Sequence, residues 1–270
     1  MPKSSRGGKA GATTTFTIRQ PQFHPVTNPR PTPQPAPQPV QPVQPPVQQN
    51  QTSDSYDAFR KMTDDQKADV IMQARNTQVP VFLAQNDLQK VLYGLKLNDK
   101  PTVVDDSVLD TMPGKELFRN VNSTNDPVNR IKYTAQDIAQ QTIRGSVTRV
   151  SDTGGSVHGR GIYFADSYSG ASGYGRIRGD IDRTAVVRAK LSPTAKTIST
   201  SKAAQGVANE ISRGTKLGKV LSSIGYQDKT AIWSLAKGYD VMVASNGYHV
   251  VINRSALIMS KTYKAKADKW

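Results

Sequence analysis

Residues 157 to 175 read VHGRGIYFADSYSGASGYG. Three tyrosines, Tyr163, Tyr168 and Tyr174, are spread through a stretch that is otherwise mostly glycine, serine and one apolar knot, Ile162-Tyr163-Phe164-Ala165. The knot predicts a short strand, because β-branched and aromatic side chains suit a pleated surface. The start of the stretch is poor helix material, since each Gly costs about 1 kcal/mol relative to Ala in a helix interior. Gly159 and Gly161 carry no Cβ, so another backbone or a flat ligand can come close beside the tyrosines. An ordinary glycine-rich hairpin would use the same residues.

The rest of the composition narrows the chemistry. The chain has 270 residues, with 36 Lys and Arg against 21 Asp and Glu, a formal net charge of +15. Such a balance favours an anionic partner: nucleic acid, a nucleotide or an acidic surface. It also serves solubility. Absence of Cys excludes disulfides and thiolate metal sites. The three histidines are His24, His158 and His249, and a three-His metal site would have to recruit the proline-rich segment, so no metal site is expected. No apolar run reaches the roughly 18 residues of a membrane span, and the basic N-terminus lacks the apolar core of a secretory signal.

Residues 1–53 are low in complexity, with PRPTPQPAPQPVQPVQPPVQQNQ at their centre. They bury too little apolar surface to offset ordering entropy, so a disordered, polyproline-like arm is expected. Lys3, Arg6, Lys9 and Arg19 give it a basic tip suited to an anionic polymer. Residues 54–114 read as a helical lead-in. Thr63 and Gln66 have capping-box spacing ahead of Ala68, Ile71, Met72 and Ala74; Asn86 or Asp87 caps a second helix carrying Leu88, Val91, Leu92 and Leu95. Residues 97–115 read as a polar connection. Strands are expected over 116–121, 145–150, 160–165, 183–191, 239–244 and 248–253, a helix capped by Thr134 through about Ile143, and helices over 200–237 broken at Gly225. Residues 261–270 read as a basic tail. Short strands with inserted helices give an α+β class.

With these elements placed, GRGIYFADSYSGASGYG resembles the second signature of the ADP-ribosyltransferases, above all their poly(ADP-ribose) polymerase-like branch. That branch carries G-x-G-I-Y-F-A-D, a serine-bearing turn and a second tyrosine, matched here by Gly159, Gly161, Ile162, Tyr163, Phe164, Ala165, Asp166, Ser169 and Tyr174. The first signature, L-x-R-G in its arginine version, is matched by Leu117-Phe118-Arg119, with Asn120 in place of the glycine. The third is similar to Lys237-Gly238-Tyr239-Asp240-Val241 and Tyr248 through Leu257. The resemblance covers residues 115–260.

The resemblance implies a split two-sheet fold that binds NAD. It gives Tyr163 and Tyr174 the two faces of the nicotinamide cation, which aromatic rings attract by stacking and cation–π contact. Arg119 would take a ribose hydroxyl or the pyrophosphate through its planar fork. Asn120 would meet the carboxamide through its backbone, Gly161 would allow close approach, and Ser169 or Ser172 would contact the amide. Ala171 stands at the place of the branch's contacting serine.

The family's glutamate, which opposes the developing positive charge of the transition state, falls on Tyr248, flanked by Gly247 and His249. Tyr248 and His249 are thus the residues at the catalytic place, and neither supplies a negative charge. Asp240, Asp228 and Glu210 are the acids to consider as substitutes. Two functions follow. One is an NAD-dependent mono-ADP-ribosyltransferase acting on a protein or nucleic-acid acceptor, of the kind phages carry, either virion-associated or in the host cytoplasm. The other is a domain of the same fold kept for binding or virion structure. A plain nucleic-acid-binding protein is a third, with little aromatic interleaving in the arm to support it.

Overall fold

The computed structural model describes residues 54–80, 86–97, 100–126, 131–145, 158, 160–178 and 184–265. The arm over 1–53 and all but the first residue of the strand expected over 145–150 lie outside them.

Local sequence signals set the first helices. Asp54–Lys61 forms α1 and Asp64–Arg75 forms α2, which opens on the expected capping box: Thr63 accepts from the Gln66 N–H and Gln66 returns the bond to Thr63. Ala68, Ile71 and Ala74 are buried, whereas Met72 lies on the exposed side. Asn86 caps α3, Asp87–Gly94, by accepting from the Gln89 N–H.

The segment read as a polar connection contains two elements, β1 (Thr102–Val104) and α4 (Asp106–Thr111). Next come β2 (Glu116–Asn122), a small hairpin of β3 (Thr124–Asp126) and β4 (Ile131–Tyr133), and α5 (Ala135–Ile143), capped by Thr134 with Asp137. The opening stretch supplies β5 (Ile162–Ala165) and then α6 (Tyr168–Arg178). No element is expected from the sequence over 168–178, where this helix lies. Ser167 accepts the Gly170 N–H as an N-cap would, and Ala171 packs in one apolar cluster with Phe118.

Beyond lie β6 (Thr184–Leu191), β7 (Thr197–Ser199), α7 (Thr200–Ser212), α8 (Lys216–Ser222), α9 (Tyr226–Ala236), β8 (Val241–Val243), β9 (Tyr248–Val251) and β10 (Leu257–Ala265). The expected helical break at Gly225 is present, and a further one falls at Gly214, whose φ is +62°.

The class is α+β. The main strands form one mixed eight-stranded sheet in the order β1-β10-β6-β2-β5-β9-β8-β7, not the two sheets that the resemblance implies. The joint between its halves is narrow. β2 pairs with β6 along all seven residues, but with β5 only at Phe118 and Ala165.

One face buries Leu117, Val121, Ile162, Phe164, Val187 and Val251 in a core shared with α5. On the other, α6 packs on β2, and α1–α3 with α7–α9 pack on β8 and β9 around Ile71, Leu92, Trp233, Met242 and Val250. Residues 54–114 are therefore no separate lead-in: α1–α3 share a core with residues 200–252, and α4 packs on β10. The basic tail also needs correction. Residues 261–265 complete β10 between β1 and β6, and Lys261 pairs with Asp105. β6 is buried on both sides. Its alternation separates apolar residues facing α5 from Arg188, which is paired with Asp106, Asp110 and Glu116, and Lys190, which donates to the Met112 carbonyl. Among the described residues no helix is long and apolar enough to cross a membrane.

Candidate functional site

The joint between β2 and β5 gathers most of the residues singled out from the sequence. Gly161 enters β5 with φ +156°, and a Cβ there would lie 2.6 Å from Val250 Cγ1 and 2.8 Å from the Val251 carbonyl. Its glycine identity thus serves the approach of β5 to β9. Tyr163 follows, paired with Val250, and Ala165 pairs with Tyr248. Side chains alternate along strands, so Tyr163 and Tyr248 stand on the same face. Their ring centroids are 6.3 Å apart at an interplanar angle of 59°. Tyr248 is half-buried against the cluster of Phe118, Ala165, Ala171 and Val186. The Tyr163 hydroxyl accepts the His158 N–H at 3.0 Å, which fixes the ring's far end.

Arg119 is buried, and its Nη1 donates to the Tyr163 carbonyl at 3.3 Å. The resemblance assigns this guanidinium to a ribose or pyrophosphate. In the folded chain this bond also ties it to β5, beside the point where the β2–β5 ladder stops. A guanidinium is suited to this, because it meets a backbone acceptor without needing strand geometry.

Asn120 lies two residues beyond Phe118 and so on the same face of β2. Both polar atoms of its amide are shut from solvent and have no hydrogen-bond partner. Asn122 Oδ1, on that face again, and Ser172 Oγ on α6 are in the same condition. Ser169 is exposed and bonds to Ser167 at 3.4 Å, away from the apolar cluster that holds Ala171. Tyr174 belongs to α6, with its side chain outside the described residues.

His249 is paired with Phe164 and therefore points to the opposite face from Tyr248. Burial holds its imidazole below the ordinary value, against the pull of the Gly247 carbonyl and the Asp166 charge. The structure thus removes His249 from the tyrosine face. Asp166, quoted in the signature but given no role, ends β5 over Gly247, whose Cβ would lie 2.8 Å from its carboxylate. Lys115 binds Asp166 at 2.7 Å, and that hydrogen bond holds its carboxyl below the usual range.

The acids considered as substitutes are committed elsewhere. Asp240 is 2% exposed and accepts from Arg60, Tyr56, Asn253 and the Lys196 N–H. Asp228 accepts the Leu88 N–H and faces Arg160 at 3.6 Å; burial raises its carboxyl. Glu210 is held by Lys237 at 2.7 Å and by Thr215 at 2.6 Å. Burial pushes Glu210 up, but these bonds outweigh it and leave the carboxyl below its ordinary value.

The site thus offers one aromatic pair, a fixed strand end and a set of unmet amide and hydroxyl groups; the carboxylate on that face of β2, Glu116, is paired with Arg188 at 3.1 Å. Comparison with protein-family models, curated proteins and solved structures gives no match.

Proposed function

We propose that this protein binds NAD at the β2–β5 joint and acts as a slow mono-ADP-ribosyltransferase on a protein or nucleic-acid acceptor. The observation that carries this reading is the seating of Tyr248 against Tyr163, at the place where the resemblance puts the family's glutamate. The fold expected of an ADP-ribosyltransferase is part of the same proposal. The narrow joint between the halves of the sheet supports it.

The residues present suit the ligand. Tyr163 and Tyr248 present aromatic surface to a flat cation, and the orphaned amide of Asn120 lies on their face of the sheet. Bound NAD would supply the bond between nicotinamide and ribose, whose cleavage releases ADP-ribose to an acceptor. The chain's own contribution is positional. His158 fixes the Tyr163 hydroxyl, Arg119 fixes the Tyr163 carbonyl, and the apolar cluster under Tyr248 excludes water. What the site lacks is a carboxylate at position 248, since Glu116, on the same face of β2, is held by Arg188. One missing electrostatic stabiliser costs on the order of 10²–10³ in rate, hence the slow turnover.

Engagement of Asp240, Asp228 and Glu210 in their own bonds favours a second reading: a domain that binds NAD, or serves a structural role, without transfer. Calorimetry with NAD and release of labelled nicotinamide separate the two. Binding that Tyr163→Ala weakens by about 1–3 kcal/mol, with slow release, supports the transferase. Binding with no release supports the second reading. No binding at all rejects NAD as the ligand.

A further inference from the structure

Tyr226 is 72% exposed, whereas the other exposed large apolar side chains among the described residues reach 42% at most. A single open ring is ordinary on a protein surface. The surroundings of this one are not. α8 buries Leu217, Gly218, Val220 and Leu221, so the helical period turns Lys216, Lys219, Ser222 and Ser223 outward along one side. This ridge leads through Gly225 to Tyr226, the first residue of α9. Lys229 follows one turn later, on the same side of α9 as Tyr226.

From Ile211 to Gln227 the chain carries Arg213, Lys216 and Lys219 and no acid. Acids that contact this surface from neighbouring elements are matched. Asp69 on α2 pairs with Lys216 at 2.6 Å, an exposed contact that a phosphate replaces at little cost. Asp87 is held by Arg75, which also donates to Ser223 at 2.8 Å. Asp228 is buried and faces Arg160 at 3.6 Å. Lys219 and Lys229 have no ion pair among the described residues. A row of cations that ends at an open ring suits a single-stranded nucleic acid: the cations follow its phosphates, and the ring takes the face of an unpaired base. A duplex keeps its bases stacked on one another, and an acidic polypeptide has no use for the ring. The net charge of +15 draws the same kind of partner.

We propose that the outer side of α8 and the first turn of α9 bind single-stranded nucleic acid, with Tyr226 stacking on one base and Lys219 and Lys229 meeting phosphates. This surface does not depend on the NAD reading, but it adjoins that site. Arg160, three residues before Tyr163, donates its N–H to the Gln227 carbonyl at 2.9 Å and its guanidinium to Gln227 Oε1 at 3.1 Å. Tyr163 packs against the same core as α9. A strand held at Tyr226 therefore lies beside the entry to β5.

The test is fluorescence anisotropy of the full-length protein with labelled oligothymidylate, with its duplex with oligoadenylate, and with labelled polyglutamate. Tyr226→Ala should weaken binding of the single strand about tenfold and of the duplex little, since only an unpaired base offers its face. Tyr226→Phe should keep the wild-type affinity. Lys219→Gln and Lys229→Gln should each reduce the slope of log affinity against log salt by about 0.7. The basic tip of the arm is present in every variant, so its contribution cancels in these comparisons. Melting temperatures should stay at the wild-type value, since none of these side chains is buried. Unchanged single-strand affinity in Tyr226→Ala, or failure of wild type to bind the single strand, overturns the surface, while calorimetry with NAD decides the other reading separately. An equal loss for the duplex or for polyglutamate means that the ring reads no unpaired base, and overturns it as well.

Discussion

Tyr163 and Tyr248 form a diagonal pair across adjacent antiparallel strands, with ring centroids 6.3 Å apart. Diagonal neighbours touch only when their side chains are long, and two tyrosines meet that condition. The His158 N–H holds the far end of Tyr163 through its hydroxyl. Tyr163→Phe keeps the ring and removes this acceptor, so it should cost about 0.5–1.5 kcal/mol of stability while leaving NAD affinity within about twofold. Urea unfolding checks the first part, as a lower midpoint at unchanged slope. An unmoved midpoint would mean that the hydroxyl holds nothing.

Asp240 joins elements far apart in the chain. It receives Arg60 at 2.6 Å and Tyr56 at 3.1 Å from α1, Asn253 at 2.8 Å after β9, and the Lys196 N–H ahead of β7. Burial also raises the Tyr56 hydroxyl well above the ordinary tyrosine range, so Tyr56 stays a donor. Asp240→Ala removes one side of a buried charge pair and should cost about 3 kcal/mol, near the lower end for such losses because Arg60 keeps some solvent contact. Asp240→Asn should cost less. Equal losses in the two variants would show that the carboxylate charge adds nothing to the bonds.

His249 gives a pH dependence of definite sign. Burial depresses its imidazole below the ordinary 6.5, while Asp166 raises it and Lys115 lowers it further. The unfolded chain therefore binds more protons than the native state as pH falls through that ordinary value. The contribution is present above about pH 6.5 and is lost as pH falls below it through the depressed native value. His249→Gln removes it. The stability of wild type minus that of the variant should fall across this window, measured by urea midpoints at each pH. A difference independent of pH would contradict the assigned burial.

The parts of the fold legible in the sequence are those with local causes. Capping boxes at Thr63 and Thr134 mark two helix starts, and Ile162–Ala165 is a strand because of its own side chains. α6 was hidden by its glycines, whose low propensity is overridden by the Ser167 cap and by packing on Phe118. β1 and β10 were hidden for another reason. Their register partners lie far along the chain, Thr102 opposite Ile258 and Lys264 opposite Val186, and the lysines of β10 read as a tail. At the site, the comparison of Tyr248 with the family's glutamate could be drawn from the resemblance. Which neighbour shares its face could not, since the separation of Tyr248 from His249 depends on strand register. The engagement of Arg119 and the unmet amide of Asn120 likewise belong to the folded chain.

Placing an acid at position 248 tests the functional reading most directly. Tyr248 shares the face of Tyr163 and rests on Phe118, Ala165 and Ala171, so a carboxylate there enters a partly apolar setting beside the aromatic ring. Tyr248→Glu should raise the release of labelled nicotinamide from NAD by at least about tenfold, which needs only about 1.4 kcal/mol of transition-state stabilisation. Tyr248→Gln, which is neutral, should give no such gain. The apolar surroundings will raise the pKa of the new carboxyl, so the gain should grow with pH until that group is fully ionised. Loss of Tyr248 packing will lower the stability of both variants, so rates are compared well below their melting temperatures. If neither wild type nor either variant releases nicotinamide while NAD still binds, the domain binds without transferring. Brisk release by wild type that is abolished in Asp166→Asn would instead make Asp166, whose carboxylate lies against Gly247, the working acid, and would reject the placement of Tyr248 at the catalytic position.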